Sequence, residues 1–262
     1  MLFRSFTLTP AEGKRLIAKA IASMEEVKNA YENGILIIAT STTTSYVAEE
    51  LMGKELDKGM FTAGVVTHEG LGITKADGRS PHYAFEKGEL KECSTPGLVP
   101  YLAKMGPDDV FIKGVNAIDP YGAAGILVHG PGGGTVGTAY GYLVRNGTQV
   151  ILPAGLEKFV PVNLAEVVPL MGVNAIDKAM GWPCGMMLIQ GMIFTEIDAF
   201  RQLFGVDAIP VAGGGIDGAE GSKIFIIEGE NEAAEAAYAC VADLKGEAVL
   251  KTSTMAKPAH LA

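Results

Sequence analysis

The sequence predicts an α/β protein: a mainly parallel sheet with helices on both faces, followed by a small α+β appendage. Three observations predict it. Continuous apolar runs such as Ile35–Ala39 read as strands buried on both faces, which is the habit of parallel sheets. Such runs alternate with amphipathic, capped segments along most of the chain, which is the order of βα units. From Thr195 the pattern changes to helix, two strands and helix, as in a split βαβ arrangement. The expected division is residues 1–194 for the α/β unit and 195–262 for the appendage.

Taken in order, Thr9-Pro10-Ala11-Glu12 predicts a helix start, with Thr9 as N-cap and Pro10 at the first helical position. That helix should run to about Glu32, where Asn33-Gly34 ends it. After the strand Ile35–Ala39 comes TSTTTS, residues 40 to 45, feeding the helix YVAEELMGKEL. Met60–Thr67 is the next expected strand, and the aperiodic stretch Thr67–Tyr83 an expected lid loop. A helix at Gly97–Met105, strands at Asp109–Val115 and Gly125–His129, a helix at Gly133–Arg145 and a strand at Gln149–Pro153 follow. Asn163–Met171 and Ala175–Met180 read as helices, and Met186–Ile193 as a strand. The appendage should hold the helix EIDAFRQLFG, the strands AIPVAGG and KIFIIEG, the helix NEAAEAAYACVADLKG and a last strand AVLKT.

Composition narrows the function. A chain of 262 residues with 48% hydrophobic residues, 34 glycines and 19% charged residues can bury a large core and make many tight turns. The surplus apolar surface predicts a homo-oligomer. A net charge of −9 and the lack of any Lys/Arg cluster argue against a nucleic-acid partner. The apolar run Gly185–Phe194 is too short to cross a bilayer, and no basic, apolar leader is apparent. The 3 cysteines, Cys93, Cys184 and Cys240, lack metal-ligand spacing and suit a reducing, cytoplasmic setting.

Two stretches carry chemistry. In TSTTTS, Thr42, Thr43, Thr44 and Ser45 offer more hydroxyls than a helix cap requires, beside helix N-terminal amides that favour anions. In GPGGGT, Gly132, Gly133, Gly134 and Thr135 let backbone N–H groups approach a ligand at the start of another helix. The glycines do not follow the dinucleotide register and no acidic residue ends a strand about twenty residues later, so no cofactor is expected. Between these stretches lie Lys113, Asn116, Asp119 and His129, at the ends of expected strands where α/β sheets bind ligands. Lys113, Asp119 and His129 are the candidate catalytic groups, and Asn116 a candidate ligand contact; His68 with Glu69 is a further acid/base possibility.

Placed side by side, the strand ILIIA with TSTTTSYVAEEL, DVFIKGVNAIDP, ILVHGPGGG and TQVILPAGLEKFV resemble the ribose-5-phosphate isomerase A, glucosamine-6-phosphate deaminase and CoA-transferase superfamily. They are also similar to the sugar-phosphate-sensing domains of DeoR-type repressors. The resemblance spans roughly Lys14–Val160 and implies a Rossmann-like sheet, with a phosphate bound by the hydroxyl-rich loop. The sequence also departs from the isomerase pattern. Aligned on Gly114, Lys113 and Asn116 stand where aspartates are expected, and His129 where a lysine is; the helix Gly133–Arg145 contains no carboxylate. The expectation is therefore a small anionic, phosphorylated ligand. It would be acted on by an isomerase-like or CoA-transferase-like enzyme, or held by a non-catalytic sensor that has lost the carboxylates.

Overall fold

The computed structural model describes residues 2–257. In chain order the elements are β1 (Leu2–Leu8), α1 (Pro10–Ser23), α2 (Glu25–Asn33), β2 (Ile35–Ala39), α3 (Thr42–Met52), β3 (Gly64–Thr67), β4 (Gly70–Ile73), β5 (His82–Glu86) and β6 (Glu89–Cys93). Then come α4 (Val99–Leu102), β7 (Val110–Lys113), β8 (Ala117–Ile118), β9 (Ala124–Val128), α5 (Gly134–Asn146), β10 (Gln149–Pro153) and α6 (Leu164–Val167). The chain closes with β11 (Gly185–Ile189), β12 (Met192–Phe194), α7 (Glu196–Phe204), β13 (Asp207–Gly214), β14 (Ser222–Gly229) and α8 (Asn231–Leu244).

A six-stranded sheet in the order β12-β10-β7-β2-β5-β6 forms the centre. Every residue of β2 is buried, and its side chains alternate between two cores. Leu36 and Ile38 join Leu16, Ile17 and Ile21 of α1 and Phe200 of α7 in one apolar cluster. Ile35, Ile37 and Ala39 join Leu98, Leu102, Ala139 and Leu143 in another. Helices thus cover both faces, and each such Leu or Ile contributes on the order of 1.5–3 kcal/mol of burial.

The pairing is mixed rather than mainly parallel. Parallel ladders join β12, β10, β7 and β2, whereas β2–β5 and β5–β6 are antiparallel, as are all ladders of the smaller sheets. The β5–β6 hairpin escapes a sequence reading because β6, ELKEC, is exposed along four of its residues and carries charges in place of an apolar alternation. Its Lys87-Gly88 turn has positive φ at both positions, 52° and 80°, as a two-residue hairpin requires.

Other expectations fail for identifiable reasons. The first helix is interrupted at Met24, where the backbone is extended (φ −67°, ψ 136°), and α2 restarts with Glu25 and Glu26 at its positive dipole end. The hydroxyl run is not a loop: α3 begins at Thr42, with Ser41 as its N-cap. Gly125–His129 does not enter the central sheet; β9 pairs antiparallel with β8 and β11. The chain between β7 and β9 is too short for a parallel crossover, which needs roughly a dozen residues or more. Met186–Ile193 splits at Gln190-Gly191 into β11 and β12, which belong to different sheets. Only Gly64–Thr67 of the expected strand Met60–Thr67 forms, and it pairs with β4, which lies within the expected lid, as a hairpin. Ala175–Met180 is not helical, and Ala248–Thr252 forms no strand.

In the C-terminal sheet, β13 and β14 are joined by β1, so the chain's first strand pairs with residues more than two hundred positions away. Phe6 and Leu8 of β1 pack in the same cluster as Phe225 and Ile227 of β14 and as Leu36 and Ile38 of β2. No helix among the described residues is long and apolar enough to cross a membrane.

Candidate functional site

The parallel strands β2, β7 and β10 end at one edge of the sheet, and each leads a polar group into the space beyond it. Ala39 is the register partner of Lys113, so the turn after β2 and the last side chain of β7 are neighbours by construction. β10 continues into the 3₁₀ turn Leu156–Lys158, which brings Glu157 and Lys158 to the same edge. A cavity of about 1070 Å³ opens there. Its wall includes Thr40, Ser41, Thr42, Lys113, Asn116 and Lys158 on one side, and His129, Gly133, Gly134 and Thr135 on the other.

Three helices start on this cavity. Thr9, Pro10 and Ala11 open α1, Ser41 and Thr42 open α3, and Gly134 and Thr135 open α5. Their dipole ends create a field that favours negative charge, although the Thr9 and Ser41 side chains already cap one N–H of α1 and one of α3. Gly132, Gly133 and Gly134 have φ of 66°, 80° and 59°, a left-handed run that L-residues with a Cβ resist. That run turns the chain from β9 into α5 without side chains in the way.

The cations around the cavity are not equivalent. Lys14 of α1 is neutralised by Glu157, at 2.6 Å from Nζ to Oε1. Lys113 donates from Nζ to the Thr40 carbonyl at 3.0 Å, and Lys158 reaches Thr43 Oγ1 at 3.5 Å. Neither forms an ion pair among the described residues. Burial, with the charge of Lys158 added, lowers Lys113 to about 8. Burial likewise lowers Lys158 to about 8, with Glu157 and Glu196 opposing the fall and Lys14 adding to it. Beneath them Glu196 is pushed up to about 7 by burial and by Glu157.

His82, which carries no motif of its own, links Thr40 before α3 to Thr135 at the start of α5. Its Nδ1 accepts the Thr40 N–H at 3.0 Å, so its proton sits on Nε2, which lies 3.0 Å from Thr95 Oγ1 and 3.2 Å from Thr135 Oγ1. Burial and the Lys113 charge lower it to about 4, which keeps the ring neutral. With the imidazole as donor, the hydroxyls of Thr95 and Thr135 accept from one Nε2–H and are bonded to each other at 3.2 Å, so the three groups form one network.

The expected site residues separate into those that face the cavity and those that do not. Lys113, His129, Asn116, Thr42, Gly133, Gly134 and Thr135 line it. His129 Nδ1 donates to the Pro183 carbonyl at 2.6 Å, and its ring stands edge-on to Trp182, leaving Nε2 free of that bond. Asn116 Oδ1 accepts the Leu127 N–H at 2.9 Å. Thr44 and Ser45 are occupied within α3: Thr44 Oγ1 donates to the Ala39 carbonyl and Ser45 Oγ to that of Thr42, both at 2.7 Å. Thr43 is fully buried and meets the cavity through Lys158. Gly132 shapes the turn without lining the cavity.

Asp119, expected beside the reacting carbons, is a structural residue. Its Oδ1 accepts the N–H groups of Tyr121 and Ala123 at 2.9 and 2.8 Å, and its Oδ2 that of Leu164 at 3.0 Å. Burial alone would raise its pKa, but these bonds hold the carboxyl below the usual carboxylate range. The only hint of this in the sequence is the Asp-Pro step that starts a turn.

Lys158, Glu157, Lys14 and His82 were not among the expected site residues. Lys158 was accessible in principle, because LEK follows the strand QVILP and must emerge at its carboxyl end. Among the described residues no cluster of His, Cys, Asp and Glu is placed to hold a metal ion. Comparison with protein-family models, with curated proteins and with solved structures found no match.

Proposed function

We propose that the cavity binds a small anionic metabolite carrying a phosphate or an equivalent group. The observation that supports this most directly is the pair of ammonium groups, Lys113 and Lys158, that face one cavity with no carboxylate of the described residues bound to either. A desolvated cation without a counter-ion costs stability, and the bound ligand's anion is the natural partner. The helix starts at Ser41 and Gly134 supply N–H donors, and the hydroxyls of Thr42, Thr95 and Thr135 complete the polar lining. A volume of about 1070 Å³ exceeds what inorganic phosphate fills and suits a whole metabolite, since small-molecule sites run from about 300 to about 1,000 Å³.

If the protein is an enzyme, the cavity wall offers Lys113, Lys158, His129, His68 and Glu220 for proton transfer, whereas Glu157 is paired with Lys14 and Asp119 is bonded to backbone. A sensor that holds the same anion without turnover is supported by the engagement of the Glu157 and Asp119 carboxylates in contacts of their own. Thermal-shift screening against sugar phosphates, acyl-CoAs and nucleotides tests the common premise. A ligand at about a hundred times its Kd adds about 2.7 kcal/mol of stability. A shift from one class, weakened by Lys158→Met, is expected; no shift from any of them would overturn the proposal.

A further inference from the structure

Lys113 and Lys158 differ in a way that anion binding alone does not use. Lys158 lies in the turn after β10, within the field of Glu157 and Glu196, which favours its protonated form. Lys113 has no carboxylate supporting its charge; burial and the neighbouring ammonium of Lys158 both act against it. Its root is the last residue of β7, fixed in register between β2 and β10, and its Nζ is anchored on the Thr40 carbonyl at the start of α3. An amine held rigidly in a cavity, next to a second cation and beside an anion cradle, has the surroundings of a nucleophilic lysine.

We infer that Lys113 forms an imine with an aldehyde or ketone that bears a phosphate or carboxylate held in the cavity, and that the Lys158 ammonium handles the protons. This rests on the anion-site reading above. The neutral Lys113 amine adds to the carbonyl carbon, and the C=O π pair moves to oxygen. Lys158 gives a proton to that oxygen and takes one from the new ammonium nitrogen, leaving a carbinolamine. Lys158 then protonates the hydroxyl, which leaves as water while the nitrogen lone pair forms C=N. The iminium proton returns to Lys158. One carbonyl and one amine become one imine and one water, and no oxidant or reductant is needed. The other titratable groups around this pair are His82, neutral and bonded to the Thr40 N–H, the Lys14–Glu157 pair, and His68, Arg79, His129 and Glu220 of the cavity lining, with Glu196 below.

The test is reductive trapping of the full-length protein with glyceraldehyde 3-phosphate and cyanoborohydride, with the modified lysine located by mass spectrometry. Lys113 is expected to be labelled roughly tenfold or more faster than surface lysines such as Lys28 and Lys104, because a lower pKa leaves more neutral amine. Labelling should rise as Lys113 loses its proton and fall again as Lys158 loses the proton it must donate, with a maximum near pH 8. Glycerol 3-phosphate, which has no carbonyl, should protect Lys113. Lys113→Arg keeps the cation and should keep a thermal shift with glycerol 3-phosphate while losing the adduct. Labelling that favours Lys158, or that is spread evenly over surface lysines, overturns the inference. If glycerol 3-phosphate shifts the melting point but no adduct forms, the imine is wrong and the anion site stands; if neither occurs, both fall.

Discussion

Replacing Lys158 with methionine should make the ligand-free protein more stable and its ligand binding weaker, a combination that a purely structural lysine does not give. The fall of this amine from 10.5 to about 8 corresponds to about 3 kcal/mol of strain in the folded, charged form. Half is removed for the solvent that reaches a half-buried cavity wall, leaving about 1.5 kcal/mol. Methionine keeps the apolar stem and drops the charge, so the apo melting point at pH 7 should rise by about 3 to 6 °C. Removing Lys158 also relieves Lys113, whose own fall it contributes to. Loss of a charged hydrogen bond to the ligand costs about 1.5–3 kcal/mol, so affinity for a sugar phosphate should fall about ten- to a hundredfold.

The pH dependence gives a second readout of the same variant. Between pH 8 and 10.5 the unfolded chain still holds lysine protons that the folded protein has released, so wild-type stability rises with pH across that window. In Lys158→Met the rise should shrink by more than half, because one group is gone and the other is relieved. Differential scanning fluorimetry from pH 7 to 10.5, with and without glycerol 3-phosphate, reads both effects. A variant that melts below wild type at pH 7 yet keeps the full ligand shift would refute the reasoning.

Three further outcomes are expected. Gly133→Ala places a Cβ on left-handed backbone at φ 80°. It should cost about 1–2 kcal/mol by chemical denaturation and weaken phosphate binding by displacing the start of α5. Asp119→Asn should lower stability by about 1–3 kcal/mol through the broken Leu164 or Tyr121 and Ala123 contacts, while calorimetry shows unchanged ligand affinity. Away from the cavity, Arg15 binds Glu49, Glu50 and Glu247 at 2.6, 2.9 and 2.9 Å. Arg15→Met removes one cation from the buried Glu49, which keeps Lys58, and should cost about 1–3 kcal/mol, seen as a lower urea midpoint.

Local sequence determined the helix starts, the buried strands and the glycine turn before α5. Thr9 and Glu12 form a reciprocal cap through contacts three residues apart, and the apolar run of β2 is buried on both faces. Gly132–Gly134 likewise carry their left-handed turn in their own chemistry. What only the tertiary structure decided is pairing between distant segments. β1 meets β14, β9 leaves the central sheet for β11, and β6 holds its place by backbone bonds with almost no apolar signal. The site follows the same division. Lys113 and the glycine turn are visible as residues at strand ends, but nothing local shows that Glu157 pairs with Lys14 and that Lys158 has no ion-pair partner among the described residues, or that His82 bridges Thr40 and Thr135. Those facts are distances across the fold, and burial and charge pairing act through distance in space rather than separation along the chain.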